Sequence, residues 1–280
     1  MAAAIGAELG VRVEGAVPLS GGDINEAFRV ELSDGRVVFV KQNLNAARAM
    51  FPREALGLRY LAEAKALELP DVLAVSSEDG EGPGFLVLEY LEPGRRTPGF
   101  DELLGRGLAE LHRFGDREFG LPYDNYIGSL PQANAVHANW PEFYQSRRLE
   151  PLLRRALSRG QADQHLAKRF ERLFERLGDL CGPAEPPARL HGDLWGGNLH
   201  ADARGNPVLI DPAVYAGHRE VDLAMMRLFG GFSPVVFAAY AEAYPLAAGH
   251  EDRVDLYQLY PLMVHLNLFG SGYRGGVERA

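Results

Sequence analysis

The chain has little that could staple it, anchor it in a bilayer or give it excess positive charge. It has one cysteine, Cys181, in 280 residues, so no intrachain disulfide can form. The following Gly182-Pro183 places that cysteine at a loop, and an inert thiol is expected there. No apolar run approaches the ~20 residues of a membrane span. The stretch from Met1 to Gly10 is alanine-rich but carries Glu8 and no basic segment, so a signal peptide is not expected. A cytoplasmic protein with no membrane partner is the expectation. Lysine is scarce, with Lys41, Lys65 and Lys168 the full set, so a lysine at a chemically suggestive position stands out. Positive charge is in deficit, with 29 Lys and Arg against 38 Asp and Glu for a net charge of −9. Such a surface repels phosphate backbones and anionic lipids, so nucleic acid is not an expected partner. A small anion in a local basic pocket remains open. Repeats and low-complexity tracts are absent from the sequence.

Hydrophobic residues make up 46% and charged residues 24%, as in an ordinary globular protein. A chain of this length can bury a full core without metal or disulfide staples, as one large domain or about two smaller ones. The first third reads as strands: Val11–Val13, Ala27–Leu32 and Val37–Gln42, with Ser33-Asp34-Gly35 as a hairpin turn between the last two. A helix follows from Phe51, with Leu58 and Leu61 at i+4 and i+7 from Glu54, and is expected to end at Pro70. Phe85–Leu91 reads as a further strand. The Pro/Gly-rich stretch 92–99 is the expected boundary between residues 1–91 and 100–280.

Beyond it the pattern turns helical, at Asp101–Phe114, Pro141–Leu157 with a break or kink at Glu150-Pro151, and Gln161–Leu180. Helices resume from Glu220, with Pro234, Pro245 and Pro261 as expected breakers. Between them lies a polar block, Arg189 to His200, then a turn and a strand, Pro207–Ile210, ending at Asp211. The outline is α+β: a small β-rich N-lobe, a linker and a larger mainly helical C-lobe.

Asp193 and Asn198 stand in the Asp-x-x-x-x-Asn spacing of the protein-kinase catalytic loop, with Asp211 at the end of the next strand. Mg²⁺ is hard and octahedral and takes one or two carboxylates plus phosphates. Asn198 would add a neutral oxygen, and Gly192, Gly196 and Gly197 let the backbone approach a phosphate or adopt positive φ. Lys41 ends an apolar strand, where a kinase lysine contacts phosphates, and Glu54 opens the next helix as its expected partner. Ser20-Gly21-Gly22-Asp23 is either a phosphate-covering turn or a plain hairpin turn. Glu89 and Leu91 sit where a hinge would present backbone groups to adenine. His191 is expected to orient the loop, and His112 and His265 read as core or surface residues of helices.

The run LHGDLWGGNLH (Leu190 to His200) followed by IDPAVYAGHREVDLAMMRLFGGF (Ile210 to Phe232) resembles the fructosamine kinase family. So do FGLPYDNYIGSLPQAN (Phe119 to Asn134), NWPEFYQSRRLEP (Asn139 to Pro151), YPLMVHLNLFG (Tyr260 to Gly270) and SGGDINEAF (Ser20 to Phe28). The family belongs to the protein-kinase-like group that includes aminoglycoside phosphotransferases and choline kinases. The resemblance implies a bilobal kinase fold using ATP and Mg²⁺ to phosphorylate the 3-hydroxyl of ketoamines, free or on glycated lysine. It implies Asp193 as catalytic base, Asn198 and Asp211 as Mg²⁺ ligands, Lys41 as phosphate contact and Glu54 as its partner. Some members carry a cysteine in the Gly-rich turn, linked to redox-sensitive dimerisation. Here Asp23 follows the two glycines, so that switch is not expected, and a monomer or weak dimer is. Trp195 could stack on a sugar; His218, Glu220 and Asp222 either line the sugar pocket or form a structural network. The alternatives are transfer to an aminoglycoside or choline-type hydroxyl, a metal-dependent hydrolase using His191, Asp193, His200, Asp211 and His218, and a silent ATP-binding module.

Overall fold

In the computed structural model, which describes residues 2–19, 25–80 and 82–280, the strand-forming runs of the first third become a five-stranded antiparallel sheet. The strands are β1 (Val13–Leu19), β2 (Glu26–Leu32), β3 (Val37–Asn43), β4 (Val72–Val75) and β5 (Gly84–Glu89), in the order β1-β2-β3-β5-β4. Successive side chains of β3 take opposite faces. Val38 and Val40 bury with Val30, Leu32, Phe85 and Val87 under helix α1 (Ala2–Leu9), whose Ile5 is fully buried. The other face packs Leu86, Leu88 and Phe39 against Phe51, Ala55 and Leu58 of helix α2 (Met50–Ala62). Lys41 shares this second register, which aims it at α2. Gly35 turns the β2–β3 hairpin at φ 85°, as its Asp-Gly sequence predicts. The turn containing Gly21, Gly22 and Asp23 lies outside the described residues.

Several local expectations need correction. The first strand starts at Val13 rather than Val11, and α1 precedes it. The helix after Phe51 stops at Ala62, eight residues before Pro70, and Lys65 reverses the chain at φ 52°. The short strand β4 follows Pro70.

The rest of the chain is helical: α3 (Phe100–Phe114), α4 (Trp140–Phe143), α5 (Glu150–Ser158), α6 (Gln164–Leu180), α7 (Glu220–Phe229), α8 (Pro234–Ala243), α9 (Val254–Phe269) and α10 (Arg274–Arg279). Small antiparallel pairs lie among them: β6–β7 (Asn125–Ile127 with Leu130–Gln132), β8 with β11 (Ala188–Leu190 with Tyr215–Gly217), and β9–β10 (Leu199–Ala201 with Pro207–Leu209). Pro151 falls in the first turn of α5, and the segment before it, Tyr144–Leu149, widens into a π-helix. Proline offers no N–H to the carbonyl four residues back, and the wider turn absorbs the mismatch. Pro234 opens α8 and Pro245 follows its end, but Pro261 sits inside α9 without ending it. That helix keeps ten buried residues, so burial outweighs the missing hydrogen bond. No helix among the described residues is long and apolar enough to cross a membrane.

Helix α3 packs directly on α8, and Gly105 makes the close approach possible. A Cβ there would lie 2.3 Å from the Val236 carbonyl oxygen and 3.0 Å from the Tyr240 nitrogen. Backbone cannot yield as a side chain can, so Gly105→Ala is expected to cost about 1–3 kcal/mol. A thermal midpoint equal to that of the wild type would contradict this packing.

Candidate active site

A cleft of about 1220 Å³ runs between the sheet and the helical part. Its lining includes Lys41, Glu54, Glu89 and Leu91 from the first part, and Asp193, Trp195, Asn198 and Asp211 from the second. Residues 170 positions apart thus meet in one place, because β3 and the strand β10 end on the same gap.

Lys41 is 5% exposed. Its ammonium donates to Glu54 Oε1 at 2.6 Å and to Asp211 Oδ1. Burial alone would lower its pKa, but the Asp211 and Glu54 carboxylates reverse that and hold it above the ordinary lysine value. Burial pushes the Glu54 carboxyl up, with Lys41 pulling it back and Asp211 adding to the rise. Asp211 sits at φ 55°, a left-handed conformation that Asp tolerates better than most residues and that is costly enough to cluster at functional sites.

Asp193 is held from below. Asn198 Nδ2 donates to the Asp193 carbonyl at 2.9 Å and to its carboxylate at 3.3 Å. Burial raises the Asp193 pKa to about 7, with Asp211 and Asp222 adding to the rise and Asn198 opposing it. A carboxyl poised there can exchange a proton near neutral pH. Gly192 is required beside it: φ is 82°, and a Cβ would lie 2.1 Å from the Ala213 carbonyl oxygen. His191 donates Nε2–H to Ile210 O at 2.8 Å and accepts the Asp193 amide at Nδ1. Burial pulls its pKa down, so it orients the loop as a neutral ring.

His218, Glu220 and Asp222 do not line the cleft; they form the structural network that was the other reading. Asp222 is fully buried and accepts the amides of His191 at 2.8 Å and Gly192 at 2.9 Å. Glu220 makes a two-pronged pair with Arg253 at 2.6 and 2.8 Å. His218 stacks on Tyr257 at 5.1 Å. Burial takes its pKa down to about 4, with Arg219, Arg253 and His112 adding and Glu185 opposing. The unfolded chain therefore binds a proton near pH 6.5 that the folded chain takes only near 4. Stability is full above 6.5 and falls as pH drops through that window, by about 3 kcal/mol at most. His218→Phe is expected to flatten the pH dependence of the urea midpoint between pH 6.5 and 4. An unchanged slope would remove this role.

One wall of the cleft was not foreseen. His265 stands 4.5 Å from the Phe229 ring, 5.3 Å from Phe269 and 5.0 Å from Tyr273, centroid to centroid, and all four line the cleft. Trp195 is 42% exposed and Phe269 52%, so together they make an aromatic rim open to solvent. The i, i+4 spacing of His265 and Phe269 was the available signal, but α9 is apolar around its circumference and shows no side of its own. The β6–β7 ribbon adds Tyr126 and Ile127, and Arg53 stands beside Glu54.

A sheet lobe with a lysine–glutamate pair, facing a loop and strand end that supply Asp, Asn and Asp, defines the protein-kinase-like phosphotransferase class. The fructosamine kinase family model matches residues 2–280, and the chain belongs to that family. A probable ketoamine kinase from Thermus thermophilus is 41% identical over 272 residues, covering 97% of this chain and 95% of the relative. A chloroplastic protein-ribulosamine 3-kinase from Oryza sativa subsp. japonica is 38% identical over 94% of this chain and 76% of its own length. The crystal structure of a provisionally assigned fructosamine-3-kinase from Thermobifida fusca superposes with a TM-score of 0.88 at 38% identity. It covers 100% of this chain and 99% of that one.

Proposed function

We propose that this chain is an ATP-dependent kinase that phosphorylates the 3-hydroxyl of ketoamines of the fructosamine or ribulosamine type, free or on glycated lysine, and so serves deglycation. The observation that carries it is the convergence of Lys41, Glu54, Asp193, Asn198 and Asp211 on one cleft in a chain of the fructosamine kinase family. In this reading residues 1–91 hold ATP, 92–99 act as hinge and 100–280 carry catalysis and the acceptor. Lys41, held by Glu54, faces the phosphates, and main-chain groups at Glu89 and Leu91 face the adenine. Asp193 takes the proton of the attacking hydroxyl. Gly21, Gly22 and Asp23 would cover the phosphates.

The residues present fit Mg²⁺. Asn198 spends its amide N–H groups on Asp193 and on the Asp211 carbonyl, which leaves Oδ1 as an acceptor. With the Asp211 carboxylate it offers only oxygen, as a hard cation requires. Bound there, Mg²⁺ would neutralise phosphate charge. Trp195 on the open rim suits a sugar face. A hydrolase is disfavoured because His191 is spent within its loop and His218 lies outside the cleft, which leaves His200 alone of the three. The lone buried Cys181 suits the cytoplasm, and the chain is read as a monomer or weak dimer.

The test is an acceptor screen by mass spectrometry with MgATP and ribulose-lysine, fructose-lysine, a glycated protein, kanamycin and choline. One phosphoryl group gained on a ketoamine is expected. Gain on kanamycin or choline alone would move the substrate, and gain on none would overturn the reading.

A further inference from the structure

The loop that carries Asp193 is fixed from the side away from the cleft, and the fixing group is itself held in place. His112 on α3, 2% exposed, was read from the sequence as a plain helix residue. Its Nε2 lies 3.3 Å from Asp222 Oδ2, and its Nδ1 lies 2.8 Å from the Tyr240 hydroxyl on α8. The two oxygens of Asp222 already accept the amides of His191 and Gly192. A carboxylate that accepts two amides needs a donor from the imidazole, so the proton sits on His112 Nε2. In the neutral imidazole Nδ1 is then an acceptor, to which Tyr240 O–H donates. The bonds converge on Asp222: Tyr240 O–H donates to His112 and His112 N–H to Asp222 from one side, and the loop amides donate to Asp222 from the other. Asp222 and Tyr240 are both 0% exposed, so water does not compete with these bonds. Gly105, seven residues and two turns before His112 on the same face of α3, lets α8 approach closely enough for Tyr240 to reach the ring.

We infer that His112 is a positioning residue for phosphoryl transfer. Through the Tyr240–His112–Asp222 relay it fixes the carboxylate that sets the 191–192 backbone, and with it the reach of Asp193 into the cleft. The inference rests on the proposed kinase reading for its kinetic consequence, but its structural claim can be tested without substrate. Asp222 held on one side only can rotate about its side-chain bonds, and the two amides it accepts would follow. A displacement of about 1 Å at the base slows transfer without touching the nucleotide site.

The experiment compares His112→Phe, which keeps the ring volume and removes both hydrogen bonds, with His112→Gln, whose terminal amide can donate to Asp222. Amide hydrogen exchange is read first, with no substrate present. In His112→Phe the His191 and Gly192 amides should lose protection about tenfold or more while those of Ala188 and Leu190 in β8 keep theirs, and His112→Gln should restore it. Kinetics follow: His112→Phe should lower kcat by about 10–100-fold with KM for ATP unchanged, and His112→Gln should recover most of the loss. Equal kcat loss in both variants, a KM that moves with kcat, or unaltered exchange at residues 191 and 192 would overturn the inference. Should His112→Phe not fold, Tyr240→Phe, His112→Leu and their double variant carry the test. Non-additive losses in kcat support the relay and additive losses overturn it. A wild-type enzyme that phosphorylates nothing would sink the kinase reading, whereas altered exchange in His112→Phe would still stand.

Discussion

Asp193→Asn is expected to bind ATP as the wild type does and to turn over about 10²–10⁴-fold more slowly. The substitution keeps the size and shape of the side chain, so Gly192 and Asp222 still hold the loop. What it removes is the carboxylate that could receive a proton. The wild-type group is suited to that task because burial, with Asp211 and Asp222 nearby, takes its pKa up to about 7. An amide in the same place offers no basic oxygen for a hydroxyl proton. Nucleotide affinity by calorimetry and kcat at saturating acceptor separate the two effects. Since phosphoryl transfer passes through a loose transition state, positioning carries much of the rate and some turnover should survive. A kcat within about threefold of the wild type would show that Asp193 is not the base. Loss of ATP affinity in parallel would show that the substitution had disturbed the nucleotide site instead.

Much of this site is legible in the sequence because its residues lie in short runs of strong local character. Asp193 and Asn198 sit in one glycine-bearing loop, and Asp211 follows the apolar run Pro207–Ile210, so loop, strand and the lysine-bearing first third together suggest their chemistry. Lys41 is visible for a different reason: it follows Val37-Val38-Phe39-Val40, where a charged residue is conspicuous. The pairing with Asp211, across 170 residues, depends on how two lobes meet, and no local pattern encodes it. The same holds for Asp222. A carboxylate in the first turn of a helix reads equally well as a pocket residue or as a favourable partner of the helix dipole. Only the positions of the His191 and Gly192 amides decide that it faces away from the cleft. His265 was hidden because α9 is buried nearly all round, and Pro261 misled because tertiary burial outweighed its local preference. Helix α1 and strand β4 are too short to show a period.

Lys41→Met should have the second large effect, on two properties that can be separated. The ammonium is the shared counter-charge of Glu54 and Asp211. Methionine fills a similar volume and offers no charge, so the Glu54 carboxylate, whose side chain is 14% exposed, is left against apolar surroundings. Removing one partner of a buried pair costs about 3–5 kcal/mol because the other is stranded. The partial exposure of Asp211 gives it access to water and places the loss in the lower part of that range, mostly at Glu54. Turnover is expected to fall about 10²–10³-fold, the usual consequence of losing one group that stabilises transferring charge. Adding Glu54→Gln to Lys41→Met should return most of the stability, since a neutral amide can stay in that position at lower cost. It should return none of the turnover, since the cation is still missing. Urea midpoints and kcat for the two single variants and the double variant make the comparison. If the double variant is no more stable than Lys41→Met, the ion pair is not what holds α2 against β3. If Lys41→Met turns over at the wild-type rate, the lysine has no part in phosphate transfer. The combination of recovered stability and lost activity is what distinguishes a charge kept for chemistry from one kept for the fold.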